Sequence, residues 1–207
     1  MAVFAVDLAM AVLAVALALA LRPWRAIGAT GPPWAWVVAW ATLPLLWSLD
    51  RQLGVALLPT LSGAALLVLM TGWPLAVLAS VPMAVLAAVC GPLDAAEALH
   101  RAVWLGIVPA TAALGIGAAT RRWLPQHVTV YVMGRGFLGT GIGVLLALAM
   151  GVPVAGSPAD AWVARLLMAM AEASLTAGIT AVLLVQRPEL LATYADRLYL
   201  EPRPRSV

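Results

Sequence analysis

Two charged residues stand inside long apolar stretches of this 207-residue chain: Arg135 within 128–150 and Glu172 within 161–185. A charge near the centre of a bilayer costs from about 3 to more than 10 kcal/mol, so it is kept where it is paired or used. Both residues fall within one or two turns of the middle of their stretches, at about 1.5 Å rise per residue. The stretches are consecutive. As antiparallel helices they can bring the two side chains together, either as a mutually neutralised pair or as a polar substrate site or latch at the centre of a bundle. Ser174, Thr176 and Thr180 follow on the Glu172 stretch, and Thr176 is grouped with this polar site. Hydroxyls in such helices bond back to their own helix or across to a neighbour. Asp7 is a further acid in an apolar run, able to face the same interior or to reach the headgroups.

Two other groupings bear on chemistry. Residues 134–143 read Gly-Arg-Gly-Phe-Leu-Gly-Thr-Gly-Ile-Gly. Gly136, Gly139 and Gly143 permit close helix packing, and Gly139 with Gly143 forms the GxxxG spacing that lets two backbones approach. Asp94, Glu97 and His100 stand at helical spacing in a polar connection, a weak divalent-metal arrangement beside the simpler reading of solvated loop charge. The other histidine, His127, falls at the far end of a neighbouring stretch, so the two cannot share a metal. No nucleophile–base pattern appears, and the reading is of a protein that is not an enzyme and holds no cofactor. Cys90 is the single cysteine, which excludes an internal disulfide.

The elements that position these residues follow from composition. Hydrophobic residues make up 64% of the chain and charged residues 10%, against roughly 45–50% and 25% in soluble domains. Lipid must be the solvent for much of this surface. Seven apolar stretches approach the length of a membrane span, about 17–25 residues: 2–21, 33–48, 54–70, 74–90, 102–119, 128–150 and 161–185. The second carries Pro44 and is the shortest. The first begins with an acidic rather than a basic head, so it reads as a retained helix and not a signal peptide. With the N-terminus outside, eight of the arginines fall on the inner side and two, Arg51 and Arg101, on the outer. The positive-inside rule then favours an N-out, C-in orientation. Trp24, Trp34, Trp47, Trp73, Trp104, Trp123 and Trp162 lie near stretch ends as interfacial anchors, with Trp36 and Trp40 packing deeper. The expectation is an all-α, polytopic membrane protein: one domain, a compact bundle of about seven transmembrane helices. Residues 186–207 form a cytoplasmic tail, with Leu190, Leu191, Tyr194, Leu198 and Tyr199 on one side of a short interfacial helix and Asp196 and Arg197 on the other.

Several of these residues carry a resemblance. Residues 61–66, Leu-Ser-Gly-Ala-Ala-Leu, followed by Gly72-Trp73-Pro74, resemble the small-residue helix and turn of the cobalt/nickel permeases of energy-coupling-factor ABC transporters. Residues 127–131, the glycine run to Gly143, residues 172–178, Arg187-Pro188-Glu189 and residues 196–200 are similar to a proteobacterial branch of that family. The resemblance covers roughly residues 33–200. It implies a helical bundle in the bacterial inner (cytoplasmic) membrane that captures a substrate, ancestrally divalent cobalt or nickel, and works with a coupling membrane protein and ATPases. The small face of Ala11, Ala14 and Ala18 would dock such a partner. Metal-binding members have a histidine after the initiator methionine, where this chain has Ala2, and another at the position of Thr60. An asparagine of that branch is replaced by Arg135, a cation that opposes cation binding. The alternative reading is therefore an accessory or structural transmembrane subunit that has lost its ligands and packs in a larger membrane complex. Neither reading involves nucleic acid.

Overall fold

The computed structural model describes residues 2–27, 31–53, 60–151, 158–195 and 199, and all of its regular structure is helical. Five helices are long and apolar enough to cross a membrane: α1 (Ala2–Ala20), α4 (Trp73–Cys90), α5 (Ala95–Trp123), α6 (Val128–Met150) and α7, apolar over Asp160–Gln186 within Pro158–Gln186. The other two expected spans hold shorter helices among the described residues. Residues 33–48 form α2 (Trp34–Trp47), and within 60–70 the helix α3 (Ala64–Thr71) begins after Gly63, with residues 54–59 outside the described part. Glycines bound α3. Gly63 enters with φ 67° and Gly72 leaves with φ 82°, backbone that only glycine takes readily. Among the described residues five long apolar helices thus pack with shorter ones.

The short α3 is almost wholly covered. Seven of the eight residues of α3 are buried, and α3 packs against α2, α4, α5, α6 and α7. The long helices keep lipid-like faces: Val12, Leu13 and Leu17 of α1 and Val163, Leu166 and Leu167 of α7 are exposed. In α1 the inward stripe is Asp7, Ala11, Ala14 and Ala18. These alanines pack on Val77 of α4 and on Val103 and Ile107 of α5. The face expected to dock a coupling partner is used within the chain.

Both α5 and α6 contain a widened π stretch, at Ala102–Ile107 and Tyr131–Leu138. Such stretches disturb the ladder of backbone hydrogen bonds and make carbonyls available to other donors. The Ser62 hydroxyl uses one, Leu105 O, at 2.6 Å.

The tryptophans divide between anchor and core. Trp24, Trp34, Trp123 and Trp162 are exposed. Trp47 and Trp104 are buried instead, with Nε1 donating to Ser62 O and to Asp7 Oδ1. Their polar edges found partners inside the bundle, which removes the need to sit at an interface.

Candidate functional site: a carboxylate at a buried helix start

Glu172 lies midway along α7 and is 2% exposed. One carboxylate oxygen accepts the Ser62 N–H and the other the Gly63 N–H, each at 2.8 Å. These amides precede the first turn of α3. A helix start leaves its first N–H groups without intrahelical acceptors, and no water is present in a hydrocarbon core to satisfy them. Glu172 supplies the acceptors, and its charge faces the positive end of the α3 dipole. Around it Ser62 is fully engaged: its carbonyl accepts Trp47 Nε1 at 2.9 Å, and its hydroxyl also accepts the Ala64 N–H at 3.1 Å. Gly63 has no room for a side chain, since a Cβ there would lie 2.3 Å from Leu43 Cδ2.

The other end of α3 is held by the chain that follows α7. Ala192 N–H donates to Met70 O at 3.0 Å, and Thr193 donates to Leu69 O through both its N–H and its hydroxyl. Trp36 Nε1 donates to Leu190 O, and Leu190, Leu191 and Tyr199 are buried. The expected interfacial helix is therefore replaced by a segment docked on the core, because the open carbonyls of α3 draw it inward. Asp196, Arg197 and Leu198 lie outside the described residues.

Arg135 does not reach Glu172. It sits seven residues into α6, and helix side chains lean toward their own N-terminus, so its guanidinium reaches for the near end of the bundle. Nη1 donates to Thr193 O at 3.0 Å, and Cζ stands 5.5 Å from the centre of the Tyr131 ring. Nε packs beside Gly117, where a Cβ would lie only 2.9 Å away. The two intramembrane charges considered together from sequence occupy separate sites with backbone partners. Thr176 is buried on the Glu172 helix. Gly136 faces Ala177 of α7, while Gly139 and Gly143 face Ala113 and Pro109 of α5, so all three mark contacts inside the chain.

Asp7 belongs to a third site, at the opposite end of α5 from Arg121. It is 2% exposed. Its Oδ2 lies 2.7 Å from His100 Nδ1, and His100 Nε2 lies 2.6 Å from Gly151 O. A carbonyl only accepts, so Nε2 carries a proton; the Nδ1 contact then requires a second proton, on the imidazole or on Asp7. The expected metal trio is pulled apart. Asp94 caps its helix by accepting the Glu97 N–H, Glu97 pairs with Arg51 and Arg101, and His100 turns to Asp7. Among the described residues no group of three potential ligands gathers. Arg101 also holds Asp50, at 2.7 Å, and donates to Trp47 O. Partial burial alone would raise the Asp50 carboxyl, but the hydrogen bonds and charge of Arg101 hold it below its ordinary range.

Sequence reasoning missed Ser62, Gly63 and Thr193 as partners because they contribute backbone groups. The Asp7–His100 contact had a usable signal: both residues fall at the same end under an alternating topology. Compared with known proteins, the chain matches no family model, no curated protein and no solved structure.

Proposed function

We propose that this chain is the membrane-integral, substrate-capture component of an energy-coupling-factor-type transporter in the bacterial cytoplasmic membrane, oriented N-out and C-in. The reading rests on the resemblance of residues 33–200 and on one structural observation: a short helix starts inside the bundle against a buried carboxylate, Glu172. Transporters build their midplane sites from interrupted helices of this kind. Ancestrally the cargo of this class is divalent cobalt or nickel. In this chain the Ser62 and Gly63 N–H groups point at the carboxylate, so its oxygens are taken up by donors and are less open to a cation.

That polarity supports the second reading, an accessory transmembrane subunit. Both Glu172 oxygens are engaged by the chain's own amides, so the central acid stabilises architecture. Purification of the native complex in mild detergent separates the readings. A coupling membrane protein and ATPases travelling with the chain support transport, and cobalt or nickel uptake lost in Glu172→Gln supports a cation cargo. Recovery with another membrane assembly and no ATPase overturns the transport reading in favour of the accessory one.

A further inference from the structure

At the end of the bundle that carries Arg121, Arg122 and Arg187, a pocket opens between the last turn of α5, the 125–127 connection and the start of α6. Arg121, Gln126, Tyr131, Arg135 and Tyr199 are among its lining residues. It measures about 200 Å³ including the space open to the outside, and its recess has room for about one water-sized group. Among the described residues two arginines line it and no acid does. Arg135 is the less satisfied of the two intramembrane charges. Of its five N–H donors, one has a hydrogen-bond acceptor among the described residues, Thr193 O, and Nε is buried without one. The Tyr131 hydroxyl donates to Thr193 Oγ1, 2.7 Å away, while Thr193 Oγ1 donates to Leu69 O, and among the described residues Arg135 meets the Tyr131 ring rather than its hydroxyl. A cation at this depth without an acid is a site awaiting negative charge, and arginine pairs are well matched to oxyanions.

We infer that this pocket binds an oxyanion of the phosphate class, one oxygen entering between Arg121 and Arg135 while the rest stays outside. The narrow recess, with room for about one water-sized group, sets that mode. The inference does not depend on the transporter reading. A phosphodiester headgroup and free inorganic phosphate share the required chemistry, and the experiment distinguishes them. The full chain is placed in nanodiscs of equal phosphatidylcholine and phosphatidylglycerol, and retained lipid is counted by native mass spectrometry. In parallel, the detergent-purified chain is titrated with inorganic phosphate while its melting temperature is followed. A lipid source predicts preferential retention of phosphatidylglycerol, reduced about tenfold or more in Arg135→Gln and in Arg121→Gln, the loss expected for a hydrogen bond to a charged group. A soluble source predicts phosphate stabilisation that the same variants remove, with no lipid preference. Arg121 is exposed, so its variant keeps the test valid should Arg135→Gln fail to fold; Arg135→Lys should retain part of the binding. Absence of both effects, or a preference that survives in both glutamine variants, overturns the site.

Discussion

Glu172 and Arg135 look alike in sequence, each a lone charge in an apolar stretch, yet the structure treats them differently. Glu172 is at the middle of its helix, fully buried, with each oxygen on a backbone amide. Arg135 is nearer a helix end, partly accessible, with one carbonyl acceptor and a tyrosine ring. Depth explains the contrast. A group that cannot reach the surface must be satisfied internally, whereas a long side chain near an end can snorkel toward polar surroundings. The first charge is built into the fold and the second is available to a ligand.

The largest effect should come from breaking the deeper site. Glu172→Ala leaves two buried N–H groups without acceptors and should cost about 2–6 kcal/mol in unfolding of the full chain in detergent. Glu172→Gln keeps one acceptor oxygen but turns an NH2 donor toward the other amide, so it should still cost about half as much or more. Next comes Gly63→Ala, which combines a positive φ with a clash against Leu43. It should cost about 2–4 kcal/mol by the same measurement.

The acid network at the Asp7 end supplies a smaller, pH-dependent contrast. Asp50 has its carboxyl held below the ordinary range by Arg101, although burial opposes this. Its contribution is present above the unfolded value, near pH 4, and is lost as pH falls through the lower folded value. A melting curve followed from pH 5 downward should show this loss, and Asp50→Asn should lack that component. The smallest effect should be Arg135→Met, since replacing a poorly paired charge by an apolar side chain is often neutral. Its unfolding free energy should stay within about 1 kcal/mol of the parent, while oxyanion binding disappears.

The contrast also shows what a sequence displays of such a protein. Composition and long apolar runs make the helical membrane class legible. Arg135, Glu172 and Asp7 are visible as charges out of place. Their partners are less so, because Ser62, Gly63 and Thr193 act through amides and a carbonyl that every residue possesses. The bounds of α3 depend on the positive φ of Gly63 and Gly72, which apolar content does not register. Trp47 and Trp104 read as interfacial anchors by position but are buried by their hydrogen bonds to Ser62 and Asp7. The glycines at 136, 139 and 143 are legible as packing positions, while the helices they meet, α7 and α5, emerge only from the fold.

Glu172 holds the start of α3, and amide hydrogen exchange over residues 60–71 tests this most directly. In the parent chain the Ser62 and Gly63 amides should exchange slowly. In Glu172→Ala they should lose protection while α6 remains protected. Unchanged protection at Ser62 and Gly63 in that variant would contradict the account.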